Sequence, residues 1–153
     1  MRIVIASDHG GYCQKDDIAS FVRGLGHEVI DLGPFSPEPV DYPDYADKVA
    51  RAVSNGDADR GILLCGTGLG MAITADKVPG IRAAAIQSIE FAELFRKHND
   101  GNVIALSGRF VGLEANERLV QIFLETEHEG GRHARRVEKV MREDDPAFKG
   151  VDA

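Results

Sequence analysis

A cysteine lies at the point where an apolar segment gives way to a glycine-rich loop. Residues 61–64 are apolar, and the loop after them reads Cys65, Gly66, Thr67, Gly68, Leu69, Gly70. Glycines allow backbone N–H groups to approach a ligand closely, and the thiolate is the reactive form of cysteine. A helix predicted from Gly70 to Lys77 begins in this loop, and a helix start attracts anions. The loop therefore offers a cradle for an anion together with a base or nucleophile, although a buried structural thiol is the alternative for Cys65.

Further polar residues flank the other predicted strands. Asp8 and His9 follow the first strand, and Arg109 follows the fifth. His98 and Asn99 instead precede the fifth strand, so they should lie at the opposite edge of the sheet or reach a site in another subunit. Non-catalytic alternatives exist: Asp8 can cap a helix N-terminus, and His98 can act as a cation at a helix C-terminus.

Arg132 and Arg136 form a basic pair near the C-terminus, with His133 beside them. Their spacing of four places both on one helical face. Arginine binds phosphate oxygens through a forked set of donors, so the pair predicts a phosphate site. A solvated basic face is the alternative.

Five apolar segments alternate with helical patterns along the chain. The predicted strands are Arg2–Ala6, His27–Leu32, Gly61–Leu64, Ile81–Ile86 and Asn102–Leu106. This alternation is typical of a parallel sheet covered by helices on both faces, in which ligands bind beyond the carboxyl ends of the strands. We predict a three-layer αβα Rossmann-like α/β fold with a five-stranded parallel sheet and a C-terminal helix. Residues 1–142 are expected to form the single domain and residues 143–153 a polar tail.

Composition narrows the function classes. The chain has 153 residues, of which 43% are hydrophobic and 28% charged, as in an ordinary globular domain. The net charge of −7 argues against general nucleic-acid binding. Neither a membrane-spanning run nor a signal-peptide pattern is evident, and the two cysteines are far apart. A cytoplasmic protein without disulfides is expected.

Four functions are compared for the cysteine loop. A dinucleotide-binding fingerprint is a poor match, because Ser7-Asp8-His9-Gly10-Gly11 follows the first strand. A cysteine phosphatase would need an arginine closing the loop, and Met71 stands there. A module that binds a phosphorylated ligand remains open. Proton transfer beside a carbonyl also remains open, with Cys65 as base, the loop amides facing an enediolate and the arginines holding a phosphate.

Six sequence blocks between residues 2 and 140 carry a family resemblance. They are residues 7–11, 41–43, 61–70, 80–83, 98–103 and 129–133. On these blocks the chain resembles the ribose-5-phosphate isomerase B and galactose-6-phosphate isomerase family. Some members use a glutamate in place of the cysteine, but the loop up to Ala75 has none, so this chain resembles the cysteine type.

The resemblance implies an aldose–ketose isomerase that acts on an open-chain sugar phosphate without metal or cofactor. Cys65 would carry the proton between C2 and C1, Thr67 would move a proton between the substrate oxygens, and His98 would assist ring opening. The substrate-binding positions that it implies are Asp8, His9, Tyr42, Gly66, Gly68, Leu69, Gly70, Asn99, Arg109, Arg132 and Arg136.

Family members are homodimers or dimers of dimers whose sites are shared between subunits, which would account for the position of His98. Ribose 5-phosphate, in the pentose phosphate pathway, is the first substrate hypothesis. Tetrose 4-phosphate, allose 6-phosphate and galactose 6-phosphate are alternatives with the same chemistry. A sugar-phosphate-binding protein without catalysis is the third hypothesis. Neither a nucleic acid nor a membrane is expected as a partner.

Overall fold

The computed structural model describes residues 1–150, which fold around one five-stranded sheet. The strands are β1 (Arg2–Ser7), β2 (Glu28–Asp31), β3 (Arg60–Cys65), β4 (Ala83–Ala85) and β5 (Val103–Ser107). The helices are α1 (Tyr12–Gly24), α2 (Tyr42–Ser54), α3 (Leu69–Ala75), α4 (Ile89–Asn99), α5 (Leu113–Glu125) and α6 (Arg132–Met141). All strand pairs are parallel, in the order β2-β1-β3-β5-β4. The predicted α/β fold is confirmed.

The sheet is covered on both faces, as the continuous apolar runs of its central strands require. Helices α1, α4 and α5 pack on one face, where Phe123 and Ile18 lie fully buried. Helices α2 and α3 pack on the other, where Val49 and Met71 are fully buried. The central strands are therefore rigid supports for the loops that leave their carboxyl ends.

The strand order reverses between β1 and β3. From β1 the chain moves outward to β2 and then returns to place β3 on the opposite side of β1. In open α/β sheets the crevice at such a reversal is where ligands bind. The loops that leave it carry Asp8 and His9 after β1 and Gly66 after β3.

Backbone segments at this edge pack closer together than side chains would allow. A Cβ on Gly11 would lie 2.5 Å from the main chain of Leu64, and one on Gly10 would lie 2.8 Å from the amide nitrogen of Gly66. Glycine at positions 10 and 11 thus brings the turn after β1 directly against the end of β3.

A buried lysine ties α1 to the end of β2. Lys15 is fully buried and its ammonium bonds to the carboxylates of Asp31 and Asp16. Burial lowers the pKa of Lys15, but the hydrogen bonds to Asp31 and Asp16 outweigh it and leave that pKa raised. Asp31 in turn accepts a hydrogen bond from Gly33 N, and Gly33 O accepts one from Ser7 N at the end of β1. The network fixes the loop beside the strand reversal.

Element ends differ slightly from the sequence-based bounds. Strand β4 spans three residues where six were predicted, because it lies at the sheet edge and its flanks turn away: Ile81 N bonds to Val78 O. The predicted N-cap of α4 is confirmed, since Ser88 Oγ accepts from Phe91 N at 3.3 Å.

The C-terminal helix α6 is followed by a single 3-10 turn, Arg142–Asp144. The carboxylate of Asp144 accepts a hydrogen bond from Gly80 N at 2.8 Å, so this turn is tied to the loop before β4. Residues 151–153 of the predicted tail lie outside the described residues. Within residues 1–150, no helix is long and apolar enough to cross a membrane.

Candidate active site

A small cavity lies at the carboxyl ends of β1 and β3, at the strand reversal. Its volume is about 210 Å³. Its lining residues are Asp8, His9, Tyr42, Cys65, Gly66, Thr67, Gly70 and Arg109. Most of the residues predicted from the ends of the first, third and fifth strands therefore meet in one place. Gly68 does not line the cavity, but its N–H donates a hydrogen bond to Cys65. Leu69 points to solvent and is 57% exposed.

The Cys65 thiol is held by the loop that follows it. The residue is only 5% exposed, and Gly68 N donates a hydrogen bond to its Sγ at 3.0 Å. Gly68 has a φ of +83°, a conformation that glycine adopts without strain, and α3 begins directly after it. A hydrogen bond is stronger when its acceptor is charged, so the amide stabilises negative charge on the sulfur.

Asp8 organises the turn after β1. Its Oδ1 accepts hydrogen bonds from Gly10 N at 2.7 Å and from Gly11 N at 3.1 Å. The N-cap of α1 is Gly11, so the alternative in which Asp8 caps that helix is wrong. The carboxylate instead closes the turn between β1 and α1. This places Asp8 in the cavity wall beside Cys65.

Two large side chains lie against the glycine loop because glycines leave room for them. A Cβ on Gly70 would lie 2.8 Å from the ring of Tyr42. A Cβ on Gly66 would lie 3.4 Å from Cδ of Arg109. The loop glycines thus admit an aromatic ring and a guanidinium to the cavity, in addition to exposing backbone N–H groups.

The remaining predicted residues lie elsewhere. A larger cavity, of about 690 Å³, opens beside β4 and the C-terminal end of α4. Its polar lining residues are Asp76, Arg82, His98, Asn99, His133, Arg136, Glu143 and Asp144. Within one chain, His98 and Asn99 are therefore separated from Cys65, as expected for residues that precede β5. His9 is likewise separated from Arg136, although both were assigned to the phosphate.

His98 lies in a group of polar side chains on α4, α6 and the loop between α5 and α6. Its ring stacks on that of His133, with centroids 4.0 Å apart and planes 2° from parallel. Its Nε2 lies 3.6 Å from a carboxylate oxygen of Glu129. Arg132 Nε donates to His133 Nε2 at 3.2 Å. Burial lowers the pKa of His133, and the positive charges of His98, Arg132 and Arg136 lower it further.

The donor atoms of His98, Glu129 and His133 lie within 4.8 Å of one another, a spacing that a cation can use. Arg132 opposes such a use, because it already donates to His133 Nε2 and adds a positive charge.

Sequence reasoning gave no role to an ion-pair network at the end of α4. Asp100 has a φ of 46°, and its carboxylate pairs with Arg82 at 3.1 Å and with Arg96 at 2.9 Å. Arg82 Nε also donates to the carbonyl oxygens of Asn99 and Asp100. The network fixes the helix end that carries His98. The partners of Arg82 are 17 and 18 positions away, so neither helical nor strand periodicity connects them.

Known proteins resemble this chain over most of its length. The sequence model described as Ribose/Galactose Isomerase matches residues 3–140. The chain is 46% identical to ribose-5-phosphate isomerase B of Escherichia coli strain K12, over 91% of this chain and 93% of that protein. It is 45% identical to a putative sugar phosphate isomerase of Bacillus subtilis strain 168, over 92% of this chain and 95% of that protein.

Solved structures share the whole fold. Clostridium thermocellum ribose-5-phosphate isomerase B superposes with a TM-score of 0.92 at 51% identity, covering 94% of this chain and 97% of that one. The Mycoplasma genitalium ribose-5-phosphate isomerase B with bound ribulose-5-phosphate gives a TM-score of 0.90 at 44% identity, covering 94% and 95%. Fold, site and relatives together define an isomerase of the α/β class. The chain belongs to the Ribose/Galactose Isomerase family.

Proposed function

We propose that this protein interconverts ribose 5-phosphate and ribulose 5-phosphate by proton transfer, with Cys65 as the base. The observation that supports it most directly is the placement of the thiol. It lies at the end of β3, accepts a hydrogen bond from Gly68 N and shares a cavity with Asp8 and Arg109. The substrate assignment is supported by relatives named ribose-5-phosphate isomerase B, one of them with ribulose-5-phosphate bound.

In this mechanism the Cys65 thiolate removes the proton from C2 of the open-chain aldose and later delivers it to C1. The Thr67 hydroxyl passes a proton between the two substrate oxygens. Between these steps negative charge rests on an enediolate, which the amides of the Gly66–Gly70 loop face. Fixed N–H donors aimed at developing charge are among the strongest catalytic contributions, because they need no reorganisation during the reaction.

The remaining roles belong to residues in two places. Asp8 bonds to substrate hydroxyls, while His9 and Arg109 extend the Cys65 cavity toward the phosphate. His98 assists ring opening, Asn99 adds a donor to the enediolate, and Arg132 and Arg136 bind the phosphate. His98, Asn99 and Arg136 line the β4 cavity of the same chain, and Arg132 adjoins it through its hydrogen bond to His133. We therefore propose that each site joins the Cys65 cavity of one chain to the β4 cavity of its partner in a homodimer.

Two observations support a shared site. The Cys65 cavity of about 210 Å³ is smaller than the ~300–1,000 Å³ of ordinary ligand pockets, as expected if part of its wall comes from another chain. Large exposed apolar side chains also concentrate on α3 and α4, which suggests a protein interface. They are Leu69, Ile73, Ile89, Phe91 and Leu94. A two-fold interface that packs α3 of one chain on α4 of the other would bring the partner's His98 toward Cys65.

A substrate panel tests the reaction. We expect kcat/KM to be highest for ribose 5-phosphate among four-, five- and six-carbon aldose phosphates. A higher value for tetrose 4-phosphate, allose 6-phosphate or galactose 6-phosphate would keep the chemistry and replace the substrate. Turnover should persist in excess chelator, and solvent deuterium should enter the sugar phosphate. Absence of exchange with every sugar that binds would indicate a binding protein without catalysis.

A further inference from the structure

His133 is the most enclosed polar side chain of α6. It is 5% exposed, whereas Arg132 and Arg136 on the same helix are exposed. One face of its ring covers the ring of His98 at 4.0 Å, and its Nε2 accepts from Arg132 Nε at 3.2 Å. A single side chain thus contacts both the residue proposed to open the sugar ring and one of the arginines proposed to bind the phosphate.

The hydrogen bond from Arg132 defines the state of the His133 ring. To accept at Nε2, that nitrogen must carry no proton, so the ring is neutral with its proton on Nδ1. The charged groups that face it are His98 from α4, Arg132 and Arg136 from α6, and Glu129 from the preceding loop. The three basic groups favour the neutral form of the ring, whereas the carboxylate of Glu129 favours the protonated form. A neutral ring can stay stacked on His98 whichever protonation state His98 adopts, because it presents no charge to repel an imidazolium.

Both neighbours need such support. His98 is at the end of α4, is about one-third exposed, and has its Nε2 3.6 Å from an exposed carboxylate. Arg132 is the first residue of α6, and its long exposed side chain has many rotamers. The flat wall of His133 restricts rotation of the His98 ring, and the acceptor nitrogen restricts the guanidinium.

We propose that His133 is a positioning residue, whose neutral ring orients His98 by stacking and Arg132 by accepting its Nε hydrogen. The inference rests on the proposed function for the roles of those two neighbours. In this role His133 does not contact the reacting atoms. Its two supports are separable, because stacking needs a flat ring and the hydrogen bond needs an acceptor.

Two substitutions separate the supports. His133→Phe keeps a flat ring and removes the acceptor, so KM for ribose 5-phosphate should rise about tenfold while kcat stays within about twofold. His133→Gln keeps an acceptor oxygen and removes the ring, so kcat should fall about tenfold with a smaller change in KM. A residue with a merely structural role would change both constants in the same way in both variants. The matched controls are His27→Phe and His27→Gln, just before β2 and outside the linings of both cavities, and they should leave both constants unchanged.

Measurements without turnover keep the test decisive. Histidine-selective 15N NMR of the wild-type protein at neutral pH should show His133 neutral with its proton on Nδ1; a proton on Nε2 would overturn the proposal even if both variants fail to fold. The ring-current shift of the His98 protons should persist in His133→Phe and vanish in His133→Gln. If the wild-type protein turns over no sugar phosphate, the proposed function fails, and these spectra still decide the role of His133. If kcat and KM of both variants equalled those of the wild type, the positioning role of His133 would be refuted and the proposed function would stand.

Discussion

The Cys65 cavity and the β4 cavity are held by different kinds of contact. Around Cys65 the hydrogen-bond donors are main-chain amides. Gly68 N donates to the thiol, and Gly10 N and Gly11 N donate to the carboxylate of Asp8. Around His98 the contacts are made mainly by charged or aromatic side chains on α4, α6 and the adjoining loops, and some of these side chains also bond to main-chain carbonyls. The first cavity is fixed by strand ends in the core, and the second by side chains at helix ends.

This difference in contacts matches the catalytic role proposed for each cavity. A base that removes a proton from carbon must be held within a fraction of an ångström of its productive position, and backbone N–H groups at strand ends provide that. Ring opening and phosphate binding need charge, which long side chains at helix ends supply. The two cavities should therefore respond to different substitutions. The main-chain contacts of the Cys65 cavity are sensitive to added side-chain volume, whereas the side-chain contacts of the β4 cavity are sensitive to the loss of a charge.

Loss of the base should have the largest effect. Cys65→Ala is expected to lower kcat for ribose 5-phosphate by about a thousandfold, because general-base catalysis contributes ~10²–10⁴-fold. Calorimetric binding of the sugar phosphate should persist, since the arginines are intact. Cys13→Ala, which removes an exposed thiol from α1, is the control and should match the wild type. Near-normal turnover of Cys65→Ala at saturating substrate would rule out the base assignment.

Added volume at the first cavity should cost stability. The Cβ of Gly11→Ala would overlap the main chain of Leu64 at 2.5 Å, so we expect unfolding free energy to fall by about 3 kcal/mol. Turnover should fall as well, because Asp8 and Cys65 move apart. Gly24→Ala, with open space around its Cβ at the end of α1, should be neutral or slightly stabilising. Equal denaturation midpoints for the two variants would contradict the packing argument.

Lost charge at the end of α4, beside the β4 cavity, should have the smallest effect of the three. Asp100→Asn keeps a residue that tolerates positive φ but weakens the pairing with Arg82 and Arg96, so a loss of about 1.5 kcal/mol is expected. Asp47→Asn, which breaks an exposed pair with Arg51 in α2, should cost no more than ~0.5 kcal/mol. Urea denaturation measures both, and a larger loss in Asp47→Asn would reverse the ranking.

The sheet and the Cys65 cavity followed from the sequence because parallel strands bring their carboxyl ends to one edge. Asp8, Cys65 and Arg109 could thus be placed together from strand ends alone, and His98 at the opposite edge. The contact of Gly11 with Leu64 could not be predicted, because it depends on the distance between neighbouring strands and on loop path.

Side-chain pairing was equally out of reach. The stack of His98 on His133 joins α4 to α6 across 35 positions of sequence, and it depends on the packing of two helices and on side-chain rotamers. Sequence patterns report which face of an element is apolar. They do not report which polar residues of two elements meet.

Subunit complementation tests most directly the claim that the two cavities of different chains form one site. Cys65→Ala and the double variant Arg132→Ala/Arg136→Ala are each expected to be nearly inactive at substrate concentrations well below KM. In a mixed population about half of the dimers carry one variant of each kind, and one of their two sites is intact, so about a quarter of wild-type activity should return on co-expression. Activity no greater than the sum of the separate variants would contradict the shared site.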